Sequence, residues 1–118
     1  MTRLEIAVQV PNSVLLIGDP AADCPETMLG QLVAATPGCV AVGTNSEGVT
    51  QVTLTDSPLD RSGHLAFDGE VKIADGVLAI SSVLGTPFLE WAAPRSSVRI
   101  QIWVSDHSEP DDICVVVT

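Results

Sequence analysis

The chain has 118 residues, 46% of them apolar, which suits one domain (1–118) with an ordinary core and excludes general disorder. Fifteen acids against five lysines and arginines give a net charge of −10. Such a surface repels nucleic acid and anionic membranes and suits a basic protein as partner. Three cysteines, Cys24, Cys39 and Cys114, an odd count with no C-x-x-C spacing, argue against a disulfide framework and a zinc ribbon. They read as small apolar fillers. The N-terminus carries no apolar run of the signal-peptide kind, and no stretch is long enough for a membrane helix, so a cytoplasmic setting is expected.

The first element is "RLEIAVQV", in which Leu4, Ile6, Val8 and Val10 share one face of a half-buried strand. "SVLLI" is a second strand, ended by "GDP". "DCPETMLGQLVAAT" is the one helix candidate, near residues 24–33. Asp23 or Cys24 caps it, Pro25 suits its first position, and Glu26 suits the positive end of its dipole. Pro37-Gly38 stops it. "CVAVGT" and "VTQVTLT" are strands separated by the turn "NSEG", and "HLAF" is a short strand. In "EVKIADGVLAIS" the pair Asp75-Gly76 predicts a two-residue type I′ hairpin, with Ile73 opposite Leu78 and Val71 opposite Ile80. Residues 83–96 read as a long connection. "SVRIQIWV" alternates cleanly, with Val98, Ile100, Ile102 and Val104 inward and Arg99, Gln101 and Trp103 outward. "ICVVVT" is the last strand. Eight or nine short strands with regular turn signals predict an all-β fold, an antiparallel β-sandwich or jelly-roll-like domain with one short helix.

The acidic stretch "SDHSEPDDIC" offers Asp106, His107, Glu109, Asp111 and Asp112 within a few residues. A calcium loop would need a central glycine where Pro110 stands, and zinc would need more nitrogen or sulfur ligands. A solvated turn is the simpler reading, and no metal or cofactor is expected. Asp56, Asp60, Ser62, His64 and Asp68 hold acid, hydroxyl and imidazole, but no nucleophile elbow surrounds Ser62. Glycosidase chemistry, for which carboxylates are available, lacks stacking aromatics in a chain with two Phe, two Trp and no Tyr. Trp103 falls on the polar face of its strand, either as an interface anchor or under the 83–96 segment. Arg95 and Arg99 are expected to pair with nearby acids.

The order of features in "PETMLGQLVAATPGCVAVGT", followed by "VKIADGVLAISS", "SVRIQIWV" and "ICVVVT", resembles the competence protein J family, the DNA-entry nuclease inhibitors. The shared residues centre on Gln31, Pro37-Gly38 and Gly43-Thr44. Ala34-Ala35-Thr36 stand where that family tends to carry aromatic and basic residues. The resemblance implies a small cytoplasmic β-rich protein that neutralises a nuclease. The charge balance agrees, because a nuclease site is cationic and an acidic protein can occupy it as a phosphate mimic. The first reading is therefore an acidic interaction module, an inhibitor or immunity protein for a basic nuclease or toxin. Its candidate contacts are Asp19, Asp23 and Glu26, the carboxylates Asp106, Glu109, Asp111 and Asp112, and Trp103. A ligand-binding or enzymatic barrel around Phe88, Trp91 and His64 is a second reading. A homo-oligomeric scaffold is a third.

Overall fold

A computed structural model describes residues 3–25, 31–57, 63–74, 76–93, 95–106 and 110–118. Ten strands follow in chain order: β1 (Arg3–Val8), β2 (Val14–Gly18), β3 (Val33–Thr36), β4 (Cys39–Gly43), β5 (Thr50–Thr55), β6 (His64–Lys72), β7 (Val77–Ser82), β8 (Pro87–Ala92), β9 (Ser97–Val104) and β10 (Asp112–Val117). They form two five-stranded sheets, the first in the order β1-β5-β10-β9-β6 and the second in the order β3-β4-β2-β7-β8. β1 packs towards β8 and β4 towards β6, which sets the two sheets face to face as a sandwich.

The core follows from the alternation. β1 sends Leu4, Ile6 and Val8 inward, and β9 sends in Val98, Ile100, Ile102 and Val104. They meet Leu15 and Ile17 of β2, Val40 and Val42 of β4, and Leu78 and Ile80 of β7. The largest fully buried side chains are all aliphatic, as the scarcity of aromatics requires. β10 does not alternate because it is covered on both faces. Ile113, Val115 and Val117 enter the core, while Cys114 and Val116 are buried on the other side, between β5 and β9. The β5–β10 pair is parallel, the one exception to antiparallel pairing among the described ladders.

Several expectations change. β6 and β7 lie in different sheets, so the hairpin expected at Asp75-Gly76 does not form; Asp75 itself lies outside the described residues. Val71 pairs with Val98, and Ile80 pairs with Ile17 and Leu89. Val71, Ile73, Leu78 and Ile80 do share the core, but as parts of facing sheets. The crossing still needs its glycine, because Gly76 sits at φ +75° and its carbonyl accepts from the Ala93 amide at 2.8 Å. Residues 83–96 contain β8, which pairs with β7 across a bulge. "HLAF" is the start of the nine-residue β6 and not a separate strand. Among the described residues ten strands thus replace the eight or nine expected. The helix expected near 24–33 falls mainly on residues 26–30, outside the described residues. Its described flanks are not helical, and Val33 already opens β3. Pro37-Gly38 joins β3 to β4 in a tight hairpin, with Thr36 paired to Cys39.

Thr50, at the start of β5, is buried, and its hydroxyl has no hydrogen-bond partner among the described residues. A buried hydroxyl without a partner costs desolvation energy that a methyl group does not. Thr50→Val, nearly the same in shape, is therefore expected to raise stability by about 1 kcal/mol in urea unfolding. A loss of stability would show that the hydroxyl has a partner.

Candidate functional site

Strand directions sort the expected contact residues into two places. At one end of the sandwich lie the start of β10, the end of β9 and the 44–49 connection from β4 to β5. The other end holds the end of β2, the β3–β4 turn and the β6–β7 crossing. Strands of six to eight residues separate the two ends by roughly 20–25 Å. Asp106, Asp111 and Asp112 occupy the first end, Asp19 and Asp23 the second. The two acidic groups do not form one surface. Glu26 and Glu109 lie outside the described residues.

The first end is built on a hydrogen-bonded base. The Ser105 amide donates to the Asp112 carbonyl at 3.0 Å, closing the β9–β10 connection. The Ser105 hydroxyl accepts from the amides of Asp111 and Asp112, each at 3.2 Å, and donates to Asp111 Oδ1 at 3.0 Å. The side chains of Asp106, Asp111 and Asp112 are exposed. Pro110 is buried, and its carbonyl accepts from Asn45 at 2.9 Å, which draws the 44–49 connection alongside. That connection contributes a further exposed carboxylate, Glu47, whose amide donates to Asn45 Oδ1 at 3.1 Å. Glu47 escaped the sequence reading because "NSEG" reads only as a turn. Its place beside the β9–β10 loop depends on a backbone hydrogen bond between distant segments.

The second end is different in kind. Asp19 is 8% exposed, and both of its carboxylate oxygens are engaged. Oδ1 accepts from the Ala21 amide at 2.9 Å, and Oδ2 accepts from the Ala74 amide at 2.8 Å. The Asp19 amide donates to the Gly38 carbonyl at 2.9 Å. Asp19 therefore ties three segments together and presents little to a partner. Asp23 is exposed, and its carbonyl accepts from the Thr36 hydroxyl at 2.7 Å.

Trp103 is half-buried on the outer face of the first sheet, between Cys114 of β10 and Leu65 of β6. Its indole N–H donates to Gln101 Oε1 at 3.3 Å, and Gln101 donates to Asp68 at 3.4 Å. Arg99 makes a 2.9 Å ion pair with the same Asp68, as expected for an arginine among acids. The 83–96 segment belongs to the other sheet, so it does not cover Trp103. The pocket expected around Phe88, Trp91 and His64 does not form either. Phe88 and Trp91 pack on the core from β8, next to β1, whereas His64 starts β6 at the opposite edge of the sandwich.

A cleft of about 400 Å³ lies on the outer face of the second sheet. Leu16, Val77, Ala79, Val83 and Pro87 give it a largely apolar lining, with Cys24, Cys39 and Glu90 also in its wall. No group of three or more metal-ligating side chains comes together among the described residues. No helix among them is long and apolar enough to cross a membrane.

Compared with solved structures, the whole sandwich matches ComJ of Bacillus subtilis, with a TM-score of 0.70 over 99% of this chain and 94% of that one. The fold is that of ComJ. Sequence identity is 9%, so the likeness to ComJ is carried by strand order and packing. ComJ is an inhibitor of the DNA degrading activity of NucA. The resemblance read from the order of elements in the sequence thus holds at the level of the fold. No family model and no curated protein matches the sequence.

Proposed function

We propose that this chain is a nuclease inhibitor that places the acidic end of its sandwich against a cationic nuclease site. The observation that carries the reading is the match to ComJ over nearly the full length of both chains. The net charge of −10 supports a cationic target, because a site that binds phosphates attracts carboxylates held in a fixed array. Between the two acidic ends, the β9–β10 end is preferred. Asp106, Asp111, Asp112 and Glu47 are exposed there on a hydrogen-bonded base, and Glu109 belongs to the same loop in sequence. Asp19 at the other end is consumed internally. Trp103 stands on the neighbouring sheet face as an apolar contact at the margin.

The test is affinity capture on the immobilised chain, followed by DNA-cleavage assays of each captured protein with increasing amounts of the chain. A captured nuclease whose activity is lost near one equivalent supports the reading. Captured proteins without nuclease activity, or a nuclease that keeps cutting at excess inhibitor, overturn it.

A further inference from the structure

We propose that Cys24 and Cys39 form a reversible thiol–disulfide site in the wall of the outer cleft. The Cys24 thiol lies 3.5 Å from Cys39 Sγ, although 15 positions separate the two residues. Bonded sulfurs sit near 2.05 Å, so side-chain rotation of about 1.5 Å brings the pair to bonding distance. The surrounding backbone already runs side by side. The Thr36 hydroxyl donates to the Asp23 carbonyl, and Ala22 packs against Gly38. Cys39 opens β4 and is 2% exposed, whereas Cys24 is exposed. Cys114 lies in the other sheet and cannot reach either of them.

The chemistry is a two-step exchange with a small-molecule disulfide as oxidant. The Cys24 thiolate, on the exposed side, attacks one sulfur of the oxidant. The oxidant's S–S bond breaks, one thiolate leaves, and a mixed disulfide remains on Cys24. Cys39, having lost its proton, then attacks Cys24 Sγ and expels the second thiolate. Two protein thiols lose two electrons and two protons, and the oxidant becomes two thiols. Burial, reinforced by the neighbouring Cys24, pushes the Cys39 thiol up to about 12. The second step is therefore the slow one at neutral pH and quickens as pH rises. The bond pins the segment after β2 to the first residue of β4, along one wall of the cleft.

The test is incubation of the intact protein with glutathione disulfide at mildly alkaline pH. Remaining thiols are then blocked, and the protein is analysed by intact mass, peptide mapping and thermal melting. The expected product has lost two hydrogens, carries a Cys24–Cys39 cross-link, and melts roughly 5–15 °C higher because a short loop is closed in the unfolded state. Dithiothreitol returns it to the starting mass and melting temperature. Cys24→Ser should abolish the cross-link while keeping the starting melting temperature, since Cys24 is exposed. Cys39→Ser should stop the reaction at the glutathione adduct on Cys24. A wild-type product that also stops at this adduct, or a cross-link that involves Cys114, overturns the proposal.

Discussion

Asp19→Ala is expected to destabilise the domain by about 2–4 kcal/mol, well beyond the loss from truncating an exposed polar side chain. The substitution removes both acceptors of the Ala21 and Ala74 amides and leaves two N–H groups in a part-buried setting without partners. Hydrogen bonds to a carboxylate are stronger than neutral ones, and an amide left unpaired forfeits its solvation too. The contact also bridges 55 positions of chain, from the end of β2 to the β6–β7 crossing, so nothing local replaces it. Thermal melting should fall by roughly 10 °C. Asp19→Asn, which keeps one acceptor, should lie between the variant and the parent. A melting temperature within about 1 °C of the parent for Asp19→Ala would show that water satisfies both amides.

The second large effect concerns binding rather than folding. Neutralising Asp106, Glu109 and Asp112 together (Asp106→Asn, Glu109→Gln, Asp112→Asn) is expected to slow association with the captured nuclease by roughly tenfold at low salt. At high salt the two proteins should associate at similar rates, because the Debye length shortens to a few ångströms. Asp111 is left in place because Ser105 donates to its carboxylate and the loop depends on that contact. The melting temperature should hardly change, since exposed charges contribute little to stability. The same salt dependence in variant and parent, measured by stopped-flow, would remove this end of the sandwich from the interface. Asp23 at the other end would then be the next acid to neutralise.

Much of the fold was legible from alternation. In "RLEIAVQV" and "SVRIQIWV" one face is apolar and one polar, and a strand with one wet face has little choice of orientation. Sheet membership was not legible. Val71, Ile73, Leu78 and Ile80 alternate as a hairpin would, but two strands facing each other across a sandwich bury the same residues. A tight Asp-Gly turn and a crossing between sheets also use the same residue types. β8 was missed because "PFLEWA" begins with proline, carries a bulge and has only half-buried apolar positions. For the candidate site, the exposed carboxylates of the β9–β10 loop were visible as a charge run. The internal role of Asp19 was not, because "GDP" signals a turn and nothing near it announces that the amide of Ala74 arrives from elsewhere. The nearness of Cys24 to Cys39 was equally hidden, since it depends on the path taken by the chain after β2.

The position of β10 carries a consequence for synthesis. It is tenth in chain order but third across its sheet, flanked by β5 and β9. As the chain folds, β1 can join β5 and β6 can join β9, yet these two ribbons have no edge in common until β10 docks between them. The second sheet has all five of its strands by Ala92, well before that moment. Until β10 docks, a complete sheet therefore faces a split one. Two strand edges are then open, and the aliphatic inner faces have nothing fixed to pack on. Such a species invites pairing with other chains, and chaperones hold intermediates of this kind. A chain without this six-residue strand lacks the staple between the two ribbons, so productive folding of this sandwich waits on β10.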